Sequence, residues 1–165
     1  MNLTFMTLTF TNKDRPQTLL FDQLTCQLIS QGYGFRFEAK GRSMLPTISD
    51  GEILHVEPIG TKRLRCGDIV LVKSGDVFKA HRIIQKRGTL FMTRGDAGIE
   101  PDIEIPRDSI IALVIAKELR GRSGTLQLHG FMARVRFFLN QAHRRIRLVH
   151  AAQSSTSAAG APFSQ

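Results

Sequence analysis

The sequence is poor in cysteine, with two in 165 residues, Cys26 and Cys66. That number builds no disulfide framework and fits a reducing compartment. Long apolar runs are missing as well. The longest, from Ile110 to Ala116, falls far short of the roughly 20 residues a membrane-spanning helix needs. This argues against an integral membrane protein. The first ten residues carry no basic flank and alternate apolar side chains with Thr, so they do not read as a secretory signal. No internal repeat stands out. Metal-ligand spacing is also missing, because His55, Cys66 and His81 follow no recognised pattern. Neither a metal nor a cofactor is expected.

What the chain does have is positive charge, and most of it lies at one end. Lys and Arg number 23 against 14 Asp and Glu, a net +9. Residues 1–116 hold 15 basic and 13 acidic side chains, whereas residues 117–165 hold eight basic ones and a single acid, Glu118. The body is nearly neutral, and the C-terminal end carries the excess. Such a concentration suits an anionic surface, either lipid head groups or nucleic acid. The plainer alternative is a solvated helix face. Apolar residues make up 42% of the chain, enough for a globular core.

Periodicity divides the chain into four stretches. Residues 1–34 read as an N-terminal strand and a helix. Residues 1–11 alternate like an edge strand, and Pro16 opens a helix. Leu20, Phe21, Leu24, Leu28 and Ile29 share one face of that helix, which Gly32 and Gly34 end. Residues 35–116 read as a β domain. Phe35, Phe37 and Ala39 alternate with Arg36, Glu38 and Lys40, and short strands follow at 53–56, 69–72, 77–84, 89–93 and 110–115. Turn signals such as Asp50-Gly51, Gly67-Asp68, Gly75-Asp76 and Arg87-Gly88 separate them. Strands at this spacing predict a mainly β (α+β) fold, a sandwich or barrel-like sheet. Residues 117–150 form a basic amphipathic segment, with a helix expected over 128–149. Residues 151–165 are small, uncharged and expected to be disordered.

The chemistry gathers in the β region. Gly41-Arg42-Ser43-Met44-Leu45-Pro46-Thr47 leaves a strand with a serine between a glycine and a proline. Gly41 lets another backbone approach and Pro46 stiffens the exit, so Ser43 is mounted as an exposed nucleophile can be. A serine hydroxyl needs a neighbouring base near neutral pH, and histidine suits that task. Lys79 is the rival base. It lies two residues before His81 and points to the same face of a regular strand, and a buried lysine can also activate a serine.

Gly67-Asp68-Ile69-Val70, His81-Arg82-Ile83 and Arg94-Gly95-Asp96-Ala97 follow the serine motif in order. Together they resemble the signal peptidase I family, in the branch that uses His where the bacterial branch uses Lys. The wider group includes the LexA-type self-cleaving repressors. The resemblance covers roughly residues 35–116 and implies the coiled β-sheet of those catalytic domains. It makes Ser43 the nucleophile and His81 the general base, because the family's base is followed directly by Arg. Asp96 would orient His81, with Asp102, six residues on, as the alternative acid. Some relatives place a second serine where Gly41 stands, so backbone N–H groups near Gly41 and Ser43 would form the oxyanion hole. Met44 and Leu45 would line an apolar shelf for a substrate with small side chains at the cleaved bond.

Three functions remain open on these grounds. The first is a serine endopeptidase acting on protein or peptide substrates. The second is a self-cleaving regulator, which needs a helix-turn-helix that residues 1–38 do not supply. The third is a catalytically silent module that binds anionic lipid or nucleic acid through residues 117–150. True signal peptidases are anchored by a membrane helix ahead of the serine. Here that region holds Asp22, Gln23 and Gln27, so a cytoplasmic protein is expected. Residues 128–149 either contact a membrane from its surface or cap the β core, and no specific nucleic acid is expected.

Overall fold

The computed structural model describes residues 6–8, 15–74, 77–119 and 124–130. Their order is β1 (Met6–Leu8), α1 (Arg15–Ser30), β2 (Phe35–Glu38), β3 (Ile53–Pro58), β4 (Ile69–Ser74), β5 (Val77–Arg87), β6 (Leu90–Arg94), β7 (Ile105–Pro106), a 3-10 turn, β8 (Ile110–Glu118) and β9 (Thr125–Gln127). The strands form one curled sheet in the order β1-β2-β3-β8-β4-β5-β6-β7, with β9 added to β8. Pairing is antiparallel except between β1 and β2. The mainly β expectation holds. The sheet also runs past residue 116, because β8 continues to Glu118 and pairs there with Thr125 of β9.

The apolar run of β4 explains its central place. Ile69 and Leu71 belong to one buried cluster, while Val70 and Val72 belong to another. Side chains on a strand alternate between faces, so a run buried at every position marks a strand covered on both sides. The first cluster gathers Phe35, Met44, Ile48, Leu54 and Val114, and Leu28 and Ile29 of α1 pack against it. The second gathers Leu64, Ile83, Phe91 and Leu113.

Helix α1 stops by the chemistry that its glycine announces. Gly32 sits at φ +84°. Tyr33 N–H donates to Leu28 O at 2.9 Å and Gly32 N–H to Ile29 O at 3.0 Å. That pair of bonds is a Schellman motif, which needs a left-handed residue in this place. The face predicted for α1 is corrected in one respect. Leu24 is 36% exposed and Thr25 is fully buried.

The C-terminal expectation is corrected where it can be seen. Leu128 is not the start of a helix. Its N–H donates to Ile115 O at 2.7 Å, and its side chain is buried in the first cluster. The rest of the predicted helix and the 151–165 tail lie outside the described residues. Among the described residues, no helix is long and apolar enough to cross a membrane.

Away from the site, one ion pair and one three-member cluster tie the β3 side of the sheet together. Lys117 of β8 donates to both carboxylate oxygens of Glu52 at 2.8 Å, with both side chains buried. Glu118 accepts from Arg36 at 2.9 Å and lies 2.8 Å from His55 Nε2. The His55 hydrogen bond lowers the Glu118 pKa from its ordinary 4.5, outweighing the opposing effect of burial, and Arg36 adds to the lowering.

Candidate active site

Four segments build the site, and each is held by identifiable bonds. The first is the loop between β2 and β3. Its base is closed by Ala39 N–H to Glu52 O and Gly51 N–H to Ala39 O, both 2.8 Å. Gly41 N–H donates to Asp50 Oδ1 at 2.7 Å, with Gly41 at φ +98°. Met44 and Ile48 drop into the first core cluster, which fixes the chain just after Ser43 and leaves the serine exposed. A turn from Arg42 O to Leu45 N–H (3.2 Å) shapes the serine's backbone.

Two expectations about this loop are corrected. Met44 does not line a substrate shelf, because it is 5% exposed and part of the core. Gly41 is not an oxyanion donor, because its N–H is engaged by Asp50. Its glycine serves the left-handed backbone there. Leu45 is half-buried.

The second segment is β5. Its register places His81 opposite Val70 and Arg82 opposite Ile69 on β4. His81 Nε2 lies 3.3 Å from Ser43 Oγ, and His81 Nδ1 lies 2.6 Å from Asp102 Oδ2. A carboxylate only accepts, so the proton sits on Nδ1 and Nε2 is free to accept from the serine. Lys79 is exposed on the same strand, and the imidazole holds the bond to Ser43.

The third segment carries the acid. Asp102 follows β6 in the 95–104 loop and returns to that strand, where its N–H donates to Thr93 O at 2.8 Å. Thr93 Oγ1 also donates to Asp102 Oδ2 at 2.7 Å.

Asp96 occupies a different place from the one expected for it. Arg82 donates from Nε to Asp96 Oδ1 at 2.8 Å and from Nη2 to Asp96 Oδ2 at 2.6 Å. Thr47 of the serine loop donates to the same carboxylate, and Arg82 Nη1 reaches Gly67 O at 2.7 Å. The carboxylate on the imidazole is therefore that of Asp102, while Asp96 joins the serine loop to the histidine strand. A buried guanidinium needs a paired acid. Arg82, immediately after His81, was a signal for such a partner. Thr47 closes the serine motif and Thr93 directly precedes Arg94-Gly95-Asp96, but the sequence gives neither a role.

The fourth segment, the Gly95-Asp96-Ala97 turn, presses on the serine itself. Ala97 N–H donates to Ser43 O at 2.9 Å. A Cβ on Gly95 would lie 2.5 Å from Ser43 O and 3.2 Å from Ser43 Cβ. The glycine is required here by close approach. Gly95→Ala is expected to displace the serine and lower turnover by about 10²-fold, the cost of roughly 1 Å of misplacement. Steady-state kinetics on the folded variant checks this, and wild-type turnover would show that the turn does not set the serine's position.

Among the described residues no group of three His, Cys, Asp or Glu could hold a metal ion. The arrangement is a serine hydroxyl, an imidazole and a carboxylate in sequence on a curled β sheet. Such a set can move a hydroxyl proton and stabilise the resulting imidazolium. The family described as Peptidase S24-like matches residues 9–115, which spans the serine loop, β5 and the Asp102 loop, and the chain belongs to that family. The family takes in LexA-like self-cleaving and signal peptidase-like members. No curated protein matches the chain significantly.

Proposed function

We propose that the chain is a serine endopeptidase that cleaves after small residues. In this reading Ser43 is the nucleophile, His81 the general base and Asp102 the group that orients the base. The observation that carries it is the continuous array from Ser43 Oγ through His81 to Asp102, at 3.3 Å and 2.6 Å. The first distance lies just beyond the roughly 2.6–3.2 Å of a closed nucleophile–base pair, as is common where no substrate is bound. Family membership supports hydrolysis of a peptide bond over other serine chemistry.

The steps follow from the geometry. Ser43 Oγ bonds to the scissile carbonyl carbon while its proton passes to His81 Nε2. Asp102 stabilises the imidazolium through Nδ1–H. The carbonyl oxygen becomes an oxyanion. The Ser43 N–H has no hydrogen-bond partner among the described residues and serves as a donor to it, a contribution on the order of 10²–10³ in rate. His81 then gives the proton to the departing amine, and the C–N bond breaks. Water, deprotonated by His81, releases the acyl group from Ser43. Leu45, beside the serine and half-buried, borders the substrate.

A serine-reactive fluorophosphonate probe tests the assignment. Intact mass should rise by one adduct, peptide mapping should place it on Ser43, and Ser43→Ala and His81→Ala should take up none. Labelling of Ser43→Ala at the wild-type rate would overturn the reading. Family membership favours self-cleavage as the second reading. Time-dependent loss of mass from the incubated chain, abolished by Ser43→Ala, would favour it over cleavage in trans.

A further inference from the structure

We infer that Thr93 is a positioning residue for this site, acting through Asp102. The inference rests on the reading of Ser43, His81 and Asp102 given above. Thr93 is 2% exposed at the end of β6, opposite Ile83 on β5. It holds Asp102 twice: its carbonyl accepts from Asp102 N–H at 2.8 Å and its hydroxyl donates to Asp102 Oδ2 at 2.7 Å. That oxygen is also the one 2.6 Å from His81 Nδ1. Two donors, one neutral hydroxyl and one imidazole N–H, therefore share a single acceptor atom.

The sharing has two physical consequences. The hydroxyl fixes the rotation of a carboxylate whose side chain is 34% exposed, so Oδ2 stays in line with the ring nitrogen. It also draws electron density from Oδ2, which moderates how strongly that oxygen favours the charged imidazole. Thr93 thereby governs how firmly Asp102 holds the imidazole. A hydroxyl that served packing alone would do neither.

Thr93→Val keeps the shape and removes the donor. Its expected effects are a fall in kcat/KM of about 10-fold at the plateau, the lower end for a group that orients another functional side chain, and a displacement of the acid limb of the kcat/KM profile to higher pH, because the oxygen left to the imidazole alone favours its charged form more strongly. The His81 Nδ1 proton resonance, read in the Ser43→Ala background where no turnover is needed, should move further downfield. Thr93→Ser, which keeps the donor, should restore both the profile and the resonance. Adding Thr93→Val to Asp102→Ala should change neither. An unmoved resonance and unmoved acid limb in Thr93→Val, or a movement that persists without Asp102, would overturn the inference. Failure of the broader reading would look different: no probe adduct on wild-type Ser43, whatever Thr93 does to the resonance.

Discussion

Asp102→Asn should lower kcat/KM by about 10⁴-fold while the protein melts close to the wild type. The size follows from the loss of the negative charge on Oδ2. The asparagine has the shape of the aspartate, and the atom that takes the place of Oδ2 meets both Thr93 Oγ1 and His81 Nδ1. An amide oxygen there keeps both hydrogen bonds but carries no charge to stabilise the imidazolium that forms when Ser43 gives up its proton. An amide nitrogen there donates to Nδ1 and leaves the imidazole proton on Nε2, where the array needs a lone pair. In either orientation the loss is that of a triad without its carboxylate, about 10⁴ in rate or roughly 5 kcal/mol in the barrier. Little stability is at stake, because the carboxylate is one-third exposed and the amide retains a partner. Kinetics on a panel of Ala-containing peptides, beside a thermal melt of the same sample, checks both halves. Turnover within tenfold of the wild type would remove Asp102 from the mechanism.

The sequence made some parts of this site readable and hid others, for physical reasons. Ser43 and His81 were readable because their neighbours are constrained: a left-handed Gly41 before the serine and an arginine after the histidine. The strands were readable because β4 is buried on both faces from Ile69 to Val72 and so apolar at each of those positions. The choice between Asp96 and Asp102 was not readable. Both follow β6 in one loop, and which one reaches the imidazole depends on where that loop folds back. The deciding bond joins Asp102 N–H to Thr93 O, a backbone contact that no residue type announces. Met44 was misread for a related cause. Next to an exposed serine, an apolar side chain can turn outward to a substrate or inward to the core, and the Leu45 N–H to Arg42 O turn sends this one inward. Leu128 fits a helical arc by period alone, yet it directly follows the short strand β9 and its N–H donates to Ile115 O of β8.

Asp96→Ala has the opposite signature to Asp102→Asn, with stability lost first and activity second. Arg82 is buried, its side chain 5% exposed, and Asp96 is 12% exposed. Truncating the acid leaves a guanidinium out of water with Gly67 O as a remaining acceptor. Breaking a buried pair from one side costs about 3–5 kcal/mol, because an uncompensated charge stays behind. For a domain of this size the melting point should fall on the order of 10 °C or more. Turnover measured below the new melting point should drop as well, since Thr47 loses the carboxylate that ties the serine loop to β5, but its pH profile should keep the wild-type shape because His81 and Asp102 are untouched. A second substitution separates charge from packing. Replacing both members, Arg82→Met with Asp96→Leu, removes the stranded charge and should recover much of the stability, since apolar replacements of whole buried pairs are often neutral. It should not recover the activity, because an apolar pair offers nothing to Thr47. A melting point unchanged in Asp96→Ala would show that the Arg82–Asp96 pair does not hold the loop. A pH profile displaced by Asp96→Ala would mean that this acid, too, acts on the imidazole.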